Sequence, residues 1–411
     1  MTPRSRRPIL PLGLLLGALL SLLVTVDVST PPTAVTISQA PCAVLRSGEH
    51  QAGKCLGVFD PTALPVPTAA LTSTPSPSPT PNAPASATAT GRAKPTLTAT
   101  QARTSPPTSP PSPGCIGPQL TSQSQVQPNA SYCGGQATSR IVLADGDTWV
   151  GGEVTGVATG RQEGAVNCAS NCTLVNMNVH DNPTAFAGIY MASGVQTNVS
   201  IIGGRVTGSG SLGIGGGDAD GLTIHDVEID HNGATADCGF EGGGFKGGAT
   251  HHLHFFNNYV HDNNCMGVWL DINSANNEID HNRVINNGDG GIFYEISQDA
   301  SIHNNDVEGN GARACSWLWG AGIGIASSFN IQIYGNTLRG NCNGITGTQQ
   351  NRPDSTPPAH LLENLSINGN SVAAPGKTGV AADNGADLTT RNIVFANNSY
   401  SGGAVLCGFA C

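Results

Sequence analysis

The chain has 411 residues, only 11% of them charged, and a formal net charge of −10. From Cys115 onward it holds 10 Lys+Arg against 25 Asp+Glu, so this part is strongly acidic. Nucleic-acid binding needs clustered Lys and Arg to neutralise phosphates, which excludes that class of partner. With 38% hydrophobic residues and little charge, the chain is also not of the kind that charge repulsion keeps disordered.

Residues 1–30 have the features of a secretory signal peptide or an N-terminal membrane anchor. Three arginines precede an apolar run from Ile9 to Val26. The run is close to the roughly 20 residues that span a bilayer, so cleavage and membrane tethering both stay open. In either case we expect a secreted or extracellular protein, anchored to the cell surface if the run is retained. The 12 cysteines, an even number, fit an oxidising compartment.

Two further segments precede the main domain. Residues 31–60 form a short segment in which we predict one disulfide, Cys42–Cys55. Residues 61–114 contain 14 prolines among Thr, Ser and Ala, a composition typical of an extended, disordered linker without a core. The folded domain is therefore assigned to residues 115–411.

Residues 171–411 contain a repeat that predicts the fold. An apolar residue recurs nine times at intervals of 23 to 34 residues, and five of the repeats place Asn three residues later. Many of these intervals are too short for a βαβ unit but suit one turn of a parallel β-solenoid, in which each position stacks on itself. We expect the repeated Asn side chains to form a hydrogen-bonded ladder and to adopt the left-handed backbone of sharp corners. The anchors are Leu174, Ile201, Ile224, Phe255, Ile279, Ile302, Ile333, Ile367 and Phe395, and the five Asn are Asn258, Asn282, Asn305, Asn336 and Asn370.

The stretch from His251 to Ser297 resembles bacterial secreted proteins with a right-handed parallel β-helix, of the pectate-lyase-like superfamily. The resemblance covers roughly residues 140–411 and implies an all-β, right-handed single-stranded parallel β-helix of about nine or more turns. It does not fix the activity, because that superfamily includes polysaccharide lyases, glycoside hydrolases, epimerases and non-catalytic surface proteins.

Candidate catalytic residues lie on the strand that follows the Gly-apolar step of each repeat. Its first and third residues point inward, so its second and fourth point outward. Asp271 and Glu295 hold the fourth place in successive turns, and Lys246, Trp269 and Phe293 hold the second. We expect the two carboxylates to stack about 4.8 Å apart, near the roughly 5–5.5 Å of retaining glycosidases. Asp271, Glu295 and Lys246 are the candidate catalytic residues, and Trp269 and Phe293 are candidate sugar-stacking residues.

The same group of residues has other interpretations. The sequence requires no cofactor, but Asp271 and Glu295 could hold Ca²⁺, with Asn273 or a substrate uronate as further ligands. In a lyase, Lys246 could accept a proton or neutralise the uronate. Lys246 could also simply pair with the carboxylates on a solvated face. The expected exposure of Trp269 favours sugar binding, because an exposed indole stacks readily on sugar rings.

Two insertions, after Asn232 and after Asn310, bracket this group of residues and are expected to form the walls of a cleft. The cysteines in the insertions predict two disulfides, each of which links an insertion to the next turn. The further candidate substrate-binding residues are Glu241, His252, Trp317 and Trp319, of which the two tryptophans could instead cover the core of their own loop. The predicted disulfides of the domain are Cys238–Cys265, Cys315–Cys342, Cys115–Cys133, Cys168–Cys172 and Cys407–Cys411.

The leading hypothesis is a monomeric, secreted or surface-tethered protein that cleaves a polysaccharide or cell-surface glycan in this cleft, as a glycoside hydrolase or polysaccharide lyase. One alternative is a non-catalytic glycan-binding adhesin or structural surface module, and another is a uronate epimerase. The acidic charge disfavours polyuronate substrates unless Ca²⁺ mediates their binding.

Overall fold

The computed structural model describes residues 114–191, 194–352, 360–373, 376–383, 386, 388 and 392–409. In this part of the chain the regular secondary structure is parallel β-strand, apart from one short 3-10 helix at Gln123–Gln125. The predicted all-β class is therefore confirmed. The assignments for residues 1–113, including the signal or anchor, the Cys42–Cys55 disulfide and the linker, fall outside the described residues. No helix among the described residues is both long and apolar enough to cross a membrane.

The chain winds so that each turn adds one strand to each of three parallel ladders. The first ladder carries the candidate site. It consists of Ile141–Val142, Gly164–Cys168, Ala187–Met191, Leu212–Gly217, Gly243–Gly248, Met266–Asp271, Gly290–Glu295, Ala321–Ala326, Asn343–Gln350, Lys377–Asp383 and Val405–Gly408.

The second and third ladders follow the first in each turn and share two long strands, Thr173–His180 and Ser200–Thr207. The other strands of the second ladder are Ser131–Cys133, Thr148–Val150, Thr223–His225, His254–Phe256, Asn277–Asp280, Gln298–His303, Phe329–Tyr334, Glu363–Asn368 and Val394–Ala396. Those of the third are Gln136–Ala137, Glu153–Thr155, Glu228–Asp230, Tyr259–His261, Arg283–Ile285, Asp306–Glu308, Thr337–Arg339, Ser371–Ala373 and Ser399–Ser401. A separate pair joins Gln196–Thr197 to Ala219–Asp220.

The repeat anchors stack as expected. Ile224 pairs with Phe255, Phe255 with Ile279, and Ile279 with Ile302, each in the next turn. All four side chains are fully buried in one continuous core that runs along the inside of the coil. The 11 strands of the first ladder agree with the prediction of nine or more turns.

The Asn ladder is confirmed, with one correction. Asn258 donates to Asn282 at 3.1 Å and Asn282 donates to Asn305 at 3.0 Å, and the chain of amides continues through Asn336 and Asn370. The left-handed backbone, however, lies one residue earlier, for example at Asn257 with φ 54°. The prediction that the same Asn forms the ladder and adopts the left-handed backbone was wrong. The preceding residue turns the chain, so that the ladder Asn can point inward. A second ladder joins Asn232, Asn263, Asn287, Asn310 and Asn341.

Four predicted disulfides are present: Cys115–Cys133, Cys168–Cys172, Cys238–Cys265 and Cys315–Cys342. The last two tie the insertions to the following turn, as expected. Cys407 is also disulfide-bonded, but its predicted partner, Cys411, lies outside the described residues.

Candidate active site

The strands Gly243–Gly248, Met266–Asp271 and Gly290–Glu295 place the predicted residues side by side. Lys246 pairs with Trp269, and Trp269 pairs with Phe293. Leu270 pairs with Tyr294, so the next residues along, Asp271 and Glu295, are also neighbours. Val268, Leu270, Ile292 and Tyr294 belong to the interior core, whereas Trp269 and Phe293 form a separate cluster with Ala326. The alternation therefore places the candidate residues on the outside of the coil.

The expectation of a solvated face was wrong. Trp269 is 4% exposed, Glu295 6%, Asp271 8% and Lys246 9%. The covering residues come from the loops. Lys246 donates to the main-chain oxygen of Phe240 in the first insertion, and Trp319 of the second insertion packs on Phe293 with ring centroids 6.1 Å apart. The loops thus bury most of this outer face of the solenoid.

The side-chain nitrogen of Lys246 has three partners. Its Nζ lies 3.0 Å from Asp271 Oδ2 and 3.4 Å from the centre of the Trp269 ring. The third partner is the Phe240 carbonyl oxygen. A carboxylate, an indole face and a carbonyl oxygen all favour a positive charge. Lys246 therefore neutralises and positions Asp271, and it is poorly placed to act as a free base.

Glu295 has the properties of a proton donor. Burial is the largest cause that raises the pKa of Glu295, to about 6, and the negative charge of Asp271 is the next. The positive charges of Arg352 and Lys246 act in the opposite direction and lower this pKa. Arg352 contacts Glu295 Oε1. The buried Trp269 Nε1 makes no hydrogen bond of good geometry among the described residues, yet it lies near enough to Glu295 to lower this pKa slightly. A buried carboxyl group of raised pKa beside a second carboxyl group is an arrangement that acid–base catalysis can use.

A pocket of about 260 Å³ opens beside Asp271. The first insertion supplies one wall through Phe240 and Glu241, and Tyr190 lines it from the first ladder. Gly217 and Gly248 lie at its floor, where a Cβ would meet nothing closer than 3.6 Å. Burial, and then the charges of Glu241 and Asp218, raise the pKa of Tyr190 to about 12. The glycines leave room above the strands, so a sugar ring can approach Asp271.

Glu241 is a fixed part of the pocket wall. Arg161 Nη2 lies 3.2 Å from Glu241 Oε2, and Gln162 donates to Oε1 at 3.1 Å. The Arg161 guanidinium also lies 4.9 Å from the centre of the Phe240 ring. Glu241 therefore lines the pocket, and two side chains from an earlier turn orient it.

The structure does not bring every predicted residue to the pocket. His252 pairs instead with Asp220 at 2.7 Å, and the Trp317 ring faces Lys377 at 5.7 Å. The expected single cleft between the two insertions was also wrong. Only the first insertion borders the pocket, while Trp319 of the second lies over Phe293. The pocket consequently extends towards earlier turns, and not between the two loops.

Three residues of the site were missed from the sequence. Tyr190 occupies the position of Lys246 on the equivalent strand of an earlier turn, and its side chain also points outward. Aligning the repeats could therefore have identified it. Arg161 and Arg352 lie in connections between strands, where the repeat gives no register. No pattern in the sequence links Arg352 to Glu295, 57 residues away.

A calcium ion does not fit this arrangement well. Asp271 is neutralised by Lys246 and Glu295 by Arg352, so a divalent cation would have to displace two positive side chains. Asn273, suggested as a further ligand, has its Oδ1 2.8 Å from His360 Nε2.

The family model described as "Right handed beta helix region" matches residues 165–338 and 257–359. The repeat domain is a right-handed parallel β-helix. The handedness implied by the resemblance to pectate-lyase-like proteins is thus confirmed. A search of curated proteins found no significant match.

Several solved β-helix structures are similar to the chain at low identity. The Dettilon tailspike protein is 13% identical over 61% of this chain, with a TM-score of 0.39, and the match spans 53% of the tailspike chain. The A-module of the Azotobacter vinelandii mannuronan C-5 epimerase AlgE6 is 16% identical over 71% of this chain and 97% of its own, with a TM-score of 0.41. DFA-IIIase from Arthrobacter chlorophenolicus A6 is 12% identical over 67% of this chain and 84% of its own, also with a TM-score of 0.41.

Proposed function

We propose that this β-helix protein is a glycoside hydrolase that cleaves a glycan in the pocket beside Asp271. The observation that carries the proposal is the buried carboxyl pair. Glu295, whose pKa burial and Asp271 raise to about 6, lies next to Asp271, whose Oδ2 is 3.0 Å from Lys246 Nζ. A carboxyl group of raised pKa and a second one paired with a lysine, on neighbouring strands, match the two roles in glycoside hydrolysis.

The first step uses both carboxyls. Glu295 donates its proton to the leaving glycosidic oxygen, and since Arg352 contacts Oε1, Oε2 is the oxygen left to carry that proton. An oxygen of Asp271 bonds to the anomeric carbon as the C–O bond to the leaving sugar breaks. Water then attacks this carbon, the bond to Asp271 breaks, and Glu295 accepts the proton of the water. The strand spacing of about 4.8 Å favours this retaining course over an inverting one.

Hydrolysis is better supported than β-elimination because of Lys246. Elimination needs a base to remove a proton next to a uronate carboxyl, and the sequence offered Lys246 for that role. Its ammonium is bound to Asp271, Trp269 and Phe240. The pocket also contains three acidic residues, Asp218, Glu241 and Asp271, against Lys246, so a neutral glycan fits it better than a polyuronate.

The test is to incubate the purified chain with a panel of neutral and acidic polysaccharides, and to measure reducing ends and unsaturated uronate absorbance. We expect new reducing ends without unsaturated products, and a loss of turnover in Asp271→Asn and Glu295→Gln. Asp299→Asn, an exposed carboxylate of the second ladder that pairs with Asn330, is the matched control and should keep full activity. Unsaturated products would show elimination instead, and binding without any product across the panel would support a non-catalytic module.

A further inference from the structure

A second cluster of ionisable side chains lies on the outer face of the second ladder, away from the pocket. His254 pairs in register with Glu278 of the next turn, and Phe256 pairs with Asp280. His254 Nε2 is 2.8 Å from Asp280 Oδ1 and 3.9 Å from Glu278 Oε2. One ligand atom from each of His254, Glu278 and Asp280 lies within 4.8 Å of the other two. The face therefore presents one imidazole nitrogen and two carboxylate oxygens to a common point.

Each of these ligands is held by a neighbour. Asp280 Oδ2 is 2.5 Å from His281 Nδ1, and Glu278 Oε1 is 3.0 Å from His303 Nε2. The His254 ring stacks on Phe256 with centroids 4.1 Å apart. The outer oxygens of both carboxylates are thus occupied by histidines, which leaves Oδ1 and Oε2 directed towards His254. Supporting contacts of this kind are typical of the residues around a metal's direct ligands.

The cluster has no permanent positive partner. Among the described residues, the ion pairs of Glu278 and Asp280 are with histidines only. In the neighbouring cluster of Glu228, Asp230 and His261, Arg205 pairs in register with Glu228, which is the place that His254 takes beside Glu278. Arg205 binds both oxygens of Asp230, at 2.7 and 2.6 Å. The residue that faces the two carboxylates from the preceding turn is therefore a permanent cation in one cluster and an imidazole, which can bind a metal ion, in the other.

We propose that His254, Glu278 and Asp280 bind a divalent transition-metal ion, with Zn²⁺ as the best match, because His254 offers an imidazole nitrogen in the place where the neighbouring cluster has Arg205. Zn²⁺ takes imidazole nitrogen and carboxylate oxygen at about 2.0–2.2 Å, which requires ligand atoms roughly 3.4 Å apart in a tetrahedral site. The observed 2.8 and 3.9 Å separations lie on either side of that value. Ca²⁺ and Mg²⁺ are disfavoured because they prefer ligands that are all oxygen. The ion would join the strands His254–Phe256 and Asn277–Asp280 of successive turns.

A third candidate cluster, Cys238, Cys265 and Asp289, carries no such proposal. Its two sulfurs form a disulfide, and a disulfide offers no thiolate to a metal. The proposed zinc site does not depend on the hydrolase proposal.

The experiment uses the full chain without an affinity tag, stripped of metal with a chelator and titrated with ZnCl₂ at pH 7.5 by calorimetry. We expect one tight site per chain and an affinity lowered more than about a hundredfold in His254→Ala, because even loss of a supporting contact costs 10–100-fold. Asp280→Asn should give a similar loss. His261→Ala in the arginine-filled cluster is the control and should keep the wild-type affinity.

A thermal readout keeps the result independent of folding defects. At a free Zn²⁺ concentration about 100 times Kd, the wild-type Tm should rise by about 5 °C, with no rise in His254→Ala, whose metal-free circular dichroism should match the wild type. Failure of the wild type to bind Zn²⁺, equal affinity in His254→Ala, or loss of binding in His261→Ala instead would each overturn the proposal.

Discussion

Glu295→Gln should change the pH dependence of stability in a way that follows directly from the site. The pKa of Glu295 in the folded protein is about 6, against an ordinary value of 4.5. Because the folded state holds this proton more tightly than the unfolded state, folding is favoured below pH 4.5 and that advantage is lost as the pH rises to 6. A difference of about 1.5 pKa units corresponds to about 2 kcal/mol at pH 7.5. Gln resembles the protonated acid at every pH and escapes this cost.

The measurement is the free energy of unfolding of wild type and Glu295→Gln by urea at intervals from pH 4 to pH 8. Near pH 4, where both side chains are neutral in the folded protein, the difference in the free energy of unfolding between the two proteins should depend little on pH. Between pH 4.5 and 7 this difference should shift by about 2 kcal/mol in favour of the variant. Glu163→Gln, which removes an exposed carboxylate 2.7 Å from Arg140, should show no such gain. Parallel curves for wild type and Glu295→Gln would refute the raised pKa and, with it, the role of Glu295 as an acid.

Three further outcomes are expected. Lys246→Met, which removes the cation 3.0 Å from Asp271, should lower kcat by about a hundredfold, as measured by reducing-end release on the best substrate. Asn305→Ala, which deletes a buried link of the amide ladder, should lower the free energy of unfolding by about 3 kcal/mol in urea. The double variant Cys315→Ser, Cys342→Ser removes the Cys315–Cys342 disulfide and should lower the free energy of unfolding by about 3 kcal/mol, measured as a lower Tm. The variant should keep its activity, because the pocket beside Asp271 does not contain this disulfide.

The repeat made most of the fold predictable. In a solenoid, one turn stacks on the next, so aligning the anchors also aligns every residue at a fixed distance from them. This is why the pairing of Trp269 with Phe293, and the adjacency of Asp271 and Glu295, could be derived without coordinates. The disulfides Cys238–Cys265 and Cys315–Cys342 were predictable for the same reason, since each pair repeats one spacing in equivalent turns.

The environment of the site was not predictable in the same way. Burial of Trp269 and Glu295 depends on where loops fold back, and loops have no repeat register to read. Arg352 reaches Glu295 from a connection after the strand Asn343–Gln350, and Arg161 reaches Glu241 from before the strand Gly164–Cys168. Period-two alternation separates inside from outside, but it cannot distinguish an open outer face from a covered one.

That distinction decides whether the carboxyl pair can do chemistry. Two carboxylates stacked on an open solenoid face would be screened by water and would titrate much alike, so neither would serve as an acid near neutral pH. Here burial is the largest cause of the raised pKa of Glu295, ahead of the charge of Asp271, while a lysine held against Trp269 neutralises Asp271. The solenoid thus supplies the spacing of the pair, and burial raises the pKa of Glu295 against the opposing charge of Arg352.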